Sequence, residues 1–434
     1  MSAKRTCWYM FLLGLFLKTQ VRLVGYIGIS ELIVLCVAPF VFVKNYSAMK
    51  RDGMMPILNL AGMAVLGCVC SSIINHSYFE QFARGFAQTY ATWSGLVIGY
   101  HLLKDNILSY RWFLLGAFLS GLLSIFVFQG SAATIGGVSA NTNEAAVEAV
   151  TNSVFFLSGR LLPLMNLPIQ MFYAQCPYIY SVIAPIVYAV FALYLSEGSG
   201  RSLFGIYAMS ALLMAVGGKT RHRLTRLRKN ILLLLALGIL MMTGLKSVYS
   251  WAASSGRLGE NAEKKYNDQT KRGSDILSIL ISGRTDFFVG IYACTQKPIV
   301  GYGPWPLDTQ GFRAYFLTKY GTEDEMINAI ELADKFANRT IPAHSHIIGY
   351  WLEYGILGLP FWPYVLFLLY RHLRRDVDAV PEMFGWFALG IPGLLWNIFF
   401  SPYASRIGTP IIISALILVN KIKKQLSMDV WRDQ

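Results

Sequence analysis

The segment MMPILNLAGMAVLGCVCSSII (residues 54–74) contains no charged side chain. An α-helix of about 20 predominantly apolar residues is long enough to cross the hydrocarbon core of a bilayer. Uncharged apolar runs of similar length recur along much of the chain, so this segment is one of a series. The pattern predicts several membrane-spanning helices.

The composition supports the same class of protein. Of the 434 residues, 55% are hydrophobic and 14% are charged, and the mean hydropathy is +0.46. A soluble domain of this size needs more charge to cover its surface. We therefore predict an all-α polytopic membrane protein. Its spans are expected near 26–43, 54–74, 86–103, 112–129, 178–196, 202–217, 230–249, 356–370, 384–400 and 408–420, with a weaker one at 6–24 that Lys18 and Arg22 interrupt.

Many of the cations that give the net charge of +14 lie in four short basic segments, three between predicted spans and one after the last span. This distribution is typical of cytoplasmic loops in membrane proteins and argues against nucleic-acid binding. The cations are Lys44, Lys50 and Arg51; Lys219, Arg221, Arg223, Arg226, Arg228 and Lys229; Arg371, Arg374 and Arg375; and Lys421, Lys423 and Lys424.

Eleven spans cannot place all four basic loops on one side, so one more crossing is needed between residues 130 and 177. The candidate is 146–172, which carries Glu148 and Arg160 and is expected to be buried by its neighbours. The prediction is about twelve transmembrane helices with both termini in the cytoplasm.

Three parts follow from this topology: N-terminal helices at 1–249, a large external polar region at 250–345, and C-terminal helices at 346–434. Within the polar region, 276–296 has the apolar spacing of an amphipathic helix, and 322–338 reads as another helix. The proline- and glycine-rich segment KPIVGYGPWP (297–306) separates them. The six cysteines show no metal-site spacing, and no metal or cofactor is predicted.

Arg201, Arg284, His344 and His346 converge on the predicted external face. A guanidinium group can donate hydrogen bonds to two phosphate oxygens at once, and a histidine can take a proton from a hydroxyl group near neutral pH. Each residue also has an ordinary structural interpretation. Arg201 can anchor a helix at the interface, Arg284 can be a solvated charge, and His344 can cap the helix that follows it.

The segment HSHIIGYWLEYGILG (344–358) resembles the signature of the O-antigen ligase and polymerase superfamily. In that signature, a histidine is followed by Asn, Ser or Gln and then, after nine residues, by G-x-x-G. His344, Ser345, Gly355 and Gly358 match it.

Two upstream segments extend the resemblance. SGRTDFFVGIYACTQKPIVGYGPW (282–305) is similar to the family's arginine, apolar helix and P-x-x-G-x-G run, and Arg284, Pro298, Gly301 and Gly303 match it. GSGRSLFG (198–205) resembles the family's S-R-G turn, with Arg201 as its arginine.

The resemblance implies a GT-C-like, metal-independent membrane glycosyltransferase with a periplasmic active site in the bacterial inner membrane. The donor would be a glycan on undecaprenyl diphosphate, and the acceptor hydroxyl would belong to lipid A core or to another glycan. Arg284 and Arg201 would hold the diphosphate, and His344 would be the catalytic base.

Secondary site candidates are His346, Glu353 and Arg160. His346 would share a cavity with His344 if 344–346 is extended, and would point to another face on a helix. Glu353 would orient a histidine, contact the acceptor or make an interfacial hydrogen bond. Asp286 is expected to be an ion-pair partner.

The alternatives within the family are a polymerase of lipid-linked repeat units and an oligosaccharyltransferase that acts on protein. Outside it, the chain would be a transporter or flippase, or a structural partner in envelope assembly. The predicted partners are the lipid-linked donor, the acceptor and membrane lipids, with no nucleic acid.

Overall fold

The computed structural model describes residues 3–17, 19–22, 26–126, 206, 209–210, 251, 255, 285–320, 339–373, 383–401 and 407–432. Several predictions concern residues outside this set: Arg160, Arg201, Arg284, the segment 146–172, the spans 178–196 and 230–249, the basic loop 218–229, the helix 322–338, and all but three residues of the span 202–217.

The described part of the chain is mostly helical and contains several apolar helices that could cross a membrane. Its elements are α1 (Ala3–Leu15), β1 (Gln20–Arg22), β2 (Tyr26–Gly28), α2 (Ile29–Arg51), α3 (Met55–Ile74), α4 (Phe79–Leu103), α5 (Tyr110–Phe126), α6 (Thr285–Gln296), α7 (Phe312–Tyr320), α8 (His346–Gly358), α9 (Phe361–Arg371), α10 (Phe384–Phe400) and α11 (Gly408–Arg432). A short 3₁₀ helix, Ile107–Ser109, joins α4 to α5.

Among these elements, α2 and α3 are each long and apolar enough to cross a bilayer alone. Two further pairs qualify only when taken together. These are α4 with Ile107–Leu123, bent by 118°, and α8 with α9, bent by 107°. The predicted helices at 54–74 and 384–400 are therefore present with nearly the expected bounds, whereas the predicted span 356–370 is the second half of a bent pair.

The predicted span 6–24 is not a continuous helix. Helix α1 ends at Leu15, and β1 then pairs with β2 in an antiparallel hairpin. Thirteen helical residues rise only about 20 Å, which is less than the hydrocarbon thickness. Arg22, one of the two charged residues that weakened the prediction, is the last residue of β1.

The first basic cluster lies on a helix instead of in a loop. Helix α2 continues through Lys44, Lys50 and Arg51, and only three residues separate it from α3. Gly53, at φ 81°, makes this turn. Sequence hydropathy ends the span where the charges begin, but a helix can continue beyond the apolar region.

Two basic clusters lie at the same end of the helix bundle. The Nζ of Lys421 on α11 is 2.7 Å from the Oδ2 of Asp52, which directly follows Arg51. The Asp52 side chain is almost fully buried there and also accepts a hydrogen bond from the Tyr100 hydroxyl at 2.8 Å. The opposite end of α3 meets the polar region, because Asn75 donates to the Gly301 carbonyl oxygen at 3.1 Å. The basic ends of α2 and α11 and the polar region thus lie at opposite ends of α3.

The polar region packs on α8 through its own small apolar cluster. This cluster contains Val289, Ala293, Cys294, Phe312, Phe316, Ile341, Ile348 and Leu352. Helix α6 ends at Gln296, immediately before the predicted proline- and glycine-rich break. Asp308 caps the first turn of α7, since its carboxylate accepts from the backbone N–H groups of Phe312 and Arg313 at 2.8 and 2.9 Å.

Candidate functional site

The two sequence motifs, which are about fifty residues apart in the chain, meet at a pair of glycines. Gly301 and Gly355 have φ angles of 74° and 61°, in the left-handed region that favours glycine. A Cβ on Gly301 would lie 2.7 Å from the Gly355 nitrogen, and a Cβ on Gly355 would overlap the Ile299 carbonyl oxygen. Only glycine lets the backbones of the two motifs approach this closely.

Helix α8 is interrupted at Gly355, and the loop around Gly301 satisfies the groups that the interruption frees. Tyr302 N–H donates to the Leu352 carbonyl at 2.8 Å, and Gly303 N–H donates to that of Glu353 at 3.1 Å. In the other direction, the N–H of Ile356 donates to the Ile299 carbonyl oxygen at 3.0 Å. The G-x-G run is therefore a backbone partner of the broken helix.

The same loop is fixed to the turn between α3 and α4. Gln81 on α4 donates to the Trp305 carbonyl oxygen at 3.2 Å, and Lys297 hydrogen-bonds to Asn75, which also holds Gly301. Gly85 on α4 lies against Pro304, where a Cβ would not fit. The glycine loop is thus held between α8 and the N-terminal helices.

Ser345 begins α8 and separates the two candidate histidines. Its backbone is extended, at φ −161° and ψ 139°, and its hydroxyl accepts from Ile348 N–H at 3.3 Å as an N-cap. The same hydroxyl donates to the Ile398 carbonyl oxygen of α10 at 2.8 Å. The extended cap leaves His344 outside the helix and makes His346 its first residue.

His344 lies beside Asp286 on α6. Its Nε2 is 3.1 Å from the Asp286 Oδ2, and its side chain is 46% exposed. The second oxygen of that carboxylate, Oδ1, is 3.0 Å from the Nη2 of Arg313 on α7. Asp286 is therefore an ion-pair partner, as expected from the sequence, and it joins His344 to a cation that the sequence did not single out.

The electrostatics of this cluster favour an ionised carboxylate. Partial burial by itself would raise the pKa of Asp286, but the hydrogen bond from His344 and the charge of Arg313 outweigh burial and lower the pKa overall. A neutral imidazole that donates from Nε2 carries its free electron pair on Nδ1. The arrangement can therefore accept a proton at Nδ1 while the carboxylate holds the ring.

His346 does not share this environment. It is 2% exposed, its Nδ1 is 2.8 Å from the Ser401 carbonyl oxygen, and its ring centroid is 4.6 Å from that of Trp362. These contacts are with α9 and with Ser401, which directly follows α10. A shared cavity for the two histidines is therefore wrong, and His346 holds helix ends together.

Glu353 does not orient either histidine. It lies seven residues after His346 on α8, about 10 Å along the helix axis, and the His346 Nδ1 contacts the Ser401 carbonyl oxygen. Its side chain lies beside the Trp305 backbone amide and the Tyr354 hydroxyl. Of the roles considered for Glu353, the interfacial hydrogen bond fits this geometry.

Sequence reasoning missed Arg313. Asp308 caps the first turn of α7, where Arg313 lies, but it stands four residues before Phe312 and not at the usual N-cap position. The partnership with Asp286 has no signature in sequence spacing. Arg284, Arg201 and Arg160 lie outside the described residues, although Arg284 directly precedes Thr285, the first residue of α6.

Comparison with protein-family models, with curated proteins and with solved structures finds no significant match to this chain. The likeness to the O-antigen ligase and polymerase superfamily rests on the motifs quoted above. Within the described residues, no group of three or more His, Cys, Asp or Glu side chains lies close enough to hold a metal ion.

Proposed function

We propose that this protein is a membrane glycosyltransferase that moves a glycan from undecaprenyl diphosphate to an acceptor hydroxyl. The observation that carries the proposal is the contact between His344 Nε2 and Asp286 Oδ2 at 3.1 Å, directly before a pair of apolar helices. It supplies an oriented base at the place where a lipid-borne substrate would present its polar group.

The proposed reaction is a substitution at the anomeric carbon of the donor sugar. The acceptor oxygen forms a bond to that carbon, and the bond from the carbon to the diphosphate oxygen breaks with its electron pair. The hydroxyl proton passes to His344 Nδ1, and the imidazolium is stabilised by Asp286. Arg284 and Arg201, assigned by resemblance alone, bind the departing diphosphate and offset its charge.

The physical properties of the carrier support a site at the membrane surface. A polyprenyl tail stays in the hydrocarbon, whereas a diphosphate cannot be buried there without a large cost in free energy. His344 is exposed and precedes α8, while α8 and α9 together are apolar enough to enter a bilayer. An exposed base directly before these apolar helices supports a reaction at the depth of the carrier phosphates.

Within this class we propose transfer to lipid A core on the periplasmic face, in the manner of a ligase. Polymerisation of lipid-linked repeat units uses the same donor chemistry and differs only in the acceptor. Giving the purified protein each acceptor in turn separates the two activities, because the products differ in the lipid that carries the glycan.

The test uses purified protein in lipid nanodiscs with a glycan on undecaprenyl diphosphate. His344→Ala should lower the transfer rate by about 10²–10⁴ while donor binding persists. Arg284→Lys should also lose most activity, because a point charge cannot replace a planar guanidinium on a diphosphate. Arg84→Lys is the matched control, since Arg84 pairs with Glu80 on the exposed start of α4.

Normal transfer by both the His344 and Arg284 variants would refute the proposal. Movement of the intact lipid-linked donor across the membrane, with no new glycosidic bond, would instead identify a flippase.

A further inference from the structure

A second carboxylate contact accompanies the His344 pair. The two oxygens of the Asp286 carboxylate contact different side chains. Oδ2 is 3.1 Å from His344 Nε2, and Oδ1 is 3.0 Å from Arg313 Nη2. Carboxylates flanked in this way cannot rotate without losing one of the two contacts. The position of the carboxylate is therefore set by Arg313 as well as by its own helix.

Arg313 is itself held firmly. It lies in the first turn of α7, where its backbone N–H donates to Asp308 at 2.9 Å. Helix α7 packs on α6 through aromatic rings, with Tyr292 stacked on Tyr315 at 5.2 Å and Phe288 on Phe316 at 6.5 Å. The first turns of the two helices, which carry Asp286 and Arg313, are thus kept side by side.

From this arrangement we propose that Arg313 is a positioning residue, which fixes the Asp286 carboxylate so that a single oxygen faces His344. The inference rests on the proposed function, because it gives Arg313 a role through the base assigned there. With Arg313 in place, Nε2 keeps its proton toward Asp286, and Nδ1 remains the basic nitrogen.

The arrangement of ionisable groups around Asp286 allows the effect of Arg313 on His344 to be measured. Among the described residues, His344 and Arg313 are the ionisable groups that face the Asp286 carboxyl. Helix α10, which packs nearby through Phe400 against Phe287, contains no charged residue. On α8, His346 bonds to Ser401, and Glu353 lies beside Trp305. Without Arg313, the carboxylate would attract the imidazolium form of His344 more strongly.

The experiment measures the proton affinity of His344 without any substrate. Diethyl pyrocarbonate reacts with imidazole only in its unprotonated form. The folded, detergent-purified protein is labelled at a series of pH values and then digested, and mass spectrometry reports the rate of modification at His344. Arg313→Met should move the midpoint of this curve upward by roughly half a pH unit or more, and Asp286→Asn should move it downward.

A double variant shows whether Arg313 acts through Asp286. In the Asp286→Asn background, Arg313→Met should leave the midpoint where Asp286→Asn alone puts it. When Asp286 is unchanged, Arg313→Lys keeps the positive charge, and its midpoint should lie closer to that of the parent protein than the midpoint of Arg313→Met does. Arg84→Met is the matched control and should have no effect, because Arg84 pairs with Glu80.

An unchanged midpoint in Arg313→Met would overturn the inference, as would an equal shift in the Asp286→Asn background. The transfer assay separates this result from the proposed function. If the midpoints shift as expected while every variant transfers glycan at the parent rate, then the Arg313 coupling stands and the assignment of His344 as the base fails.

Discussion

The Cα of Gly301 faces the backbone of Gly355 so closely that a Cβ on Gly301 would lie 2.7 Å from the Gly355 nitrogen. The contact joins the loop after α6 to the point where α8 is interrupted. It also explains why both motifs contain glycine, since both residues have positive φ and both face a neighbouring backbone. The loop then supplies the N–H groups that the broken helix requires.

We expect Gly355→Ala to destabilise the protein by about 2–4 kcal/mol, because it adds backbone strain and an overlap with Ile299. Thermal unfolding of the detergent-purified protein measures this. Gly62→Ala on α3 is the matched control, since no atom lies within 4 Å of its added Cβ. It should leave stability unchanged or raise it by up to about 1 kcal/mol. Equal melting temperatures for the two variants would contradict the packing described.

Sequence patterns predicted the helical class and the regular helices well, because apolar runs such as 54–74 and 384–400 are long and uniform. They failed where the outcome depends on partners distant in the chain. The interruption of α8 needs the Ile299 carbonyl and the Gly301 loop, and neither is visible in the run 356–370 itself. Lys18 and Arg22 marked a weak span, but not the hairpin that replaces its second half.

The candidate site was predictable only in part. The spacing between His344 and Gly355 selected the exposed histidine, and the structure places it beside Asp286. The burial of His346 could not be predicted, because it depends on how α9 and α10 pack on α8. The role of Arg313 could not be predicted for the same reason, since its partner Asp286 lies on another helix.

His346→Ala should lower the stability of the protein by about 2–4 kcal/mol, because it leaves a cavity against Trp362 and an unpaired Ser401 carbonyl. The folded fraction should retain transfer activity. His344→Ala should show the opposite pattern, with a smaller loss of stability, because it removes the contact with Asp286 from a side chain that is already half exposed, and with little transfer. Measuring both quantities on both variants tests the division of roles, which fails if His346→Ala is stable and inactive.

The orientation of the bundle is tested by reporter fusions. The basic ends of α2 and α11 share one end of the helices, and the polar region meets the other. A reporter that is active only in the cytoplasm should therefore be active when fused after Lys229 and silent when fused near Thr270. A signal from the Thr270 fusion would place the candidate site in the cytoplasm and exclude a periplasmic reaction.

The Asp286 cluster should make the stability of the protein sensitive to acid. Burial acts to raise the pKa of Asp286, but His344 and Arg313 hold it below its ordinary value of 3.8. The folded protein therefore binds a proton at this site less readily than the unfolded chain does. The contribution of Asp286 to stability is fully present above pH 3.8 and is lost as the pH falls through the lowered pKa.

Asp286→Asn should accordingly melt below the parent protein at pH 5 to 7, and the difference should shrink as the pH falls below about 4. Thermal unfolding across this range measures it. Glu80→Gln is the control, because Glu80 pairs with Arg84 on an exposed helix surface, where such pairs contribute little. A difference for Asp286→Asn that stays constant down to pH 2 would mean that the side chain stabilises the fold by its shape, and that its charge does not hold His344.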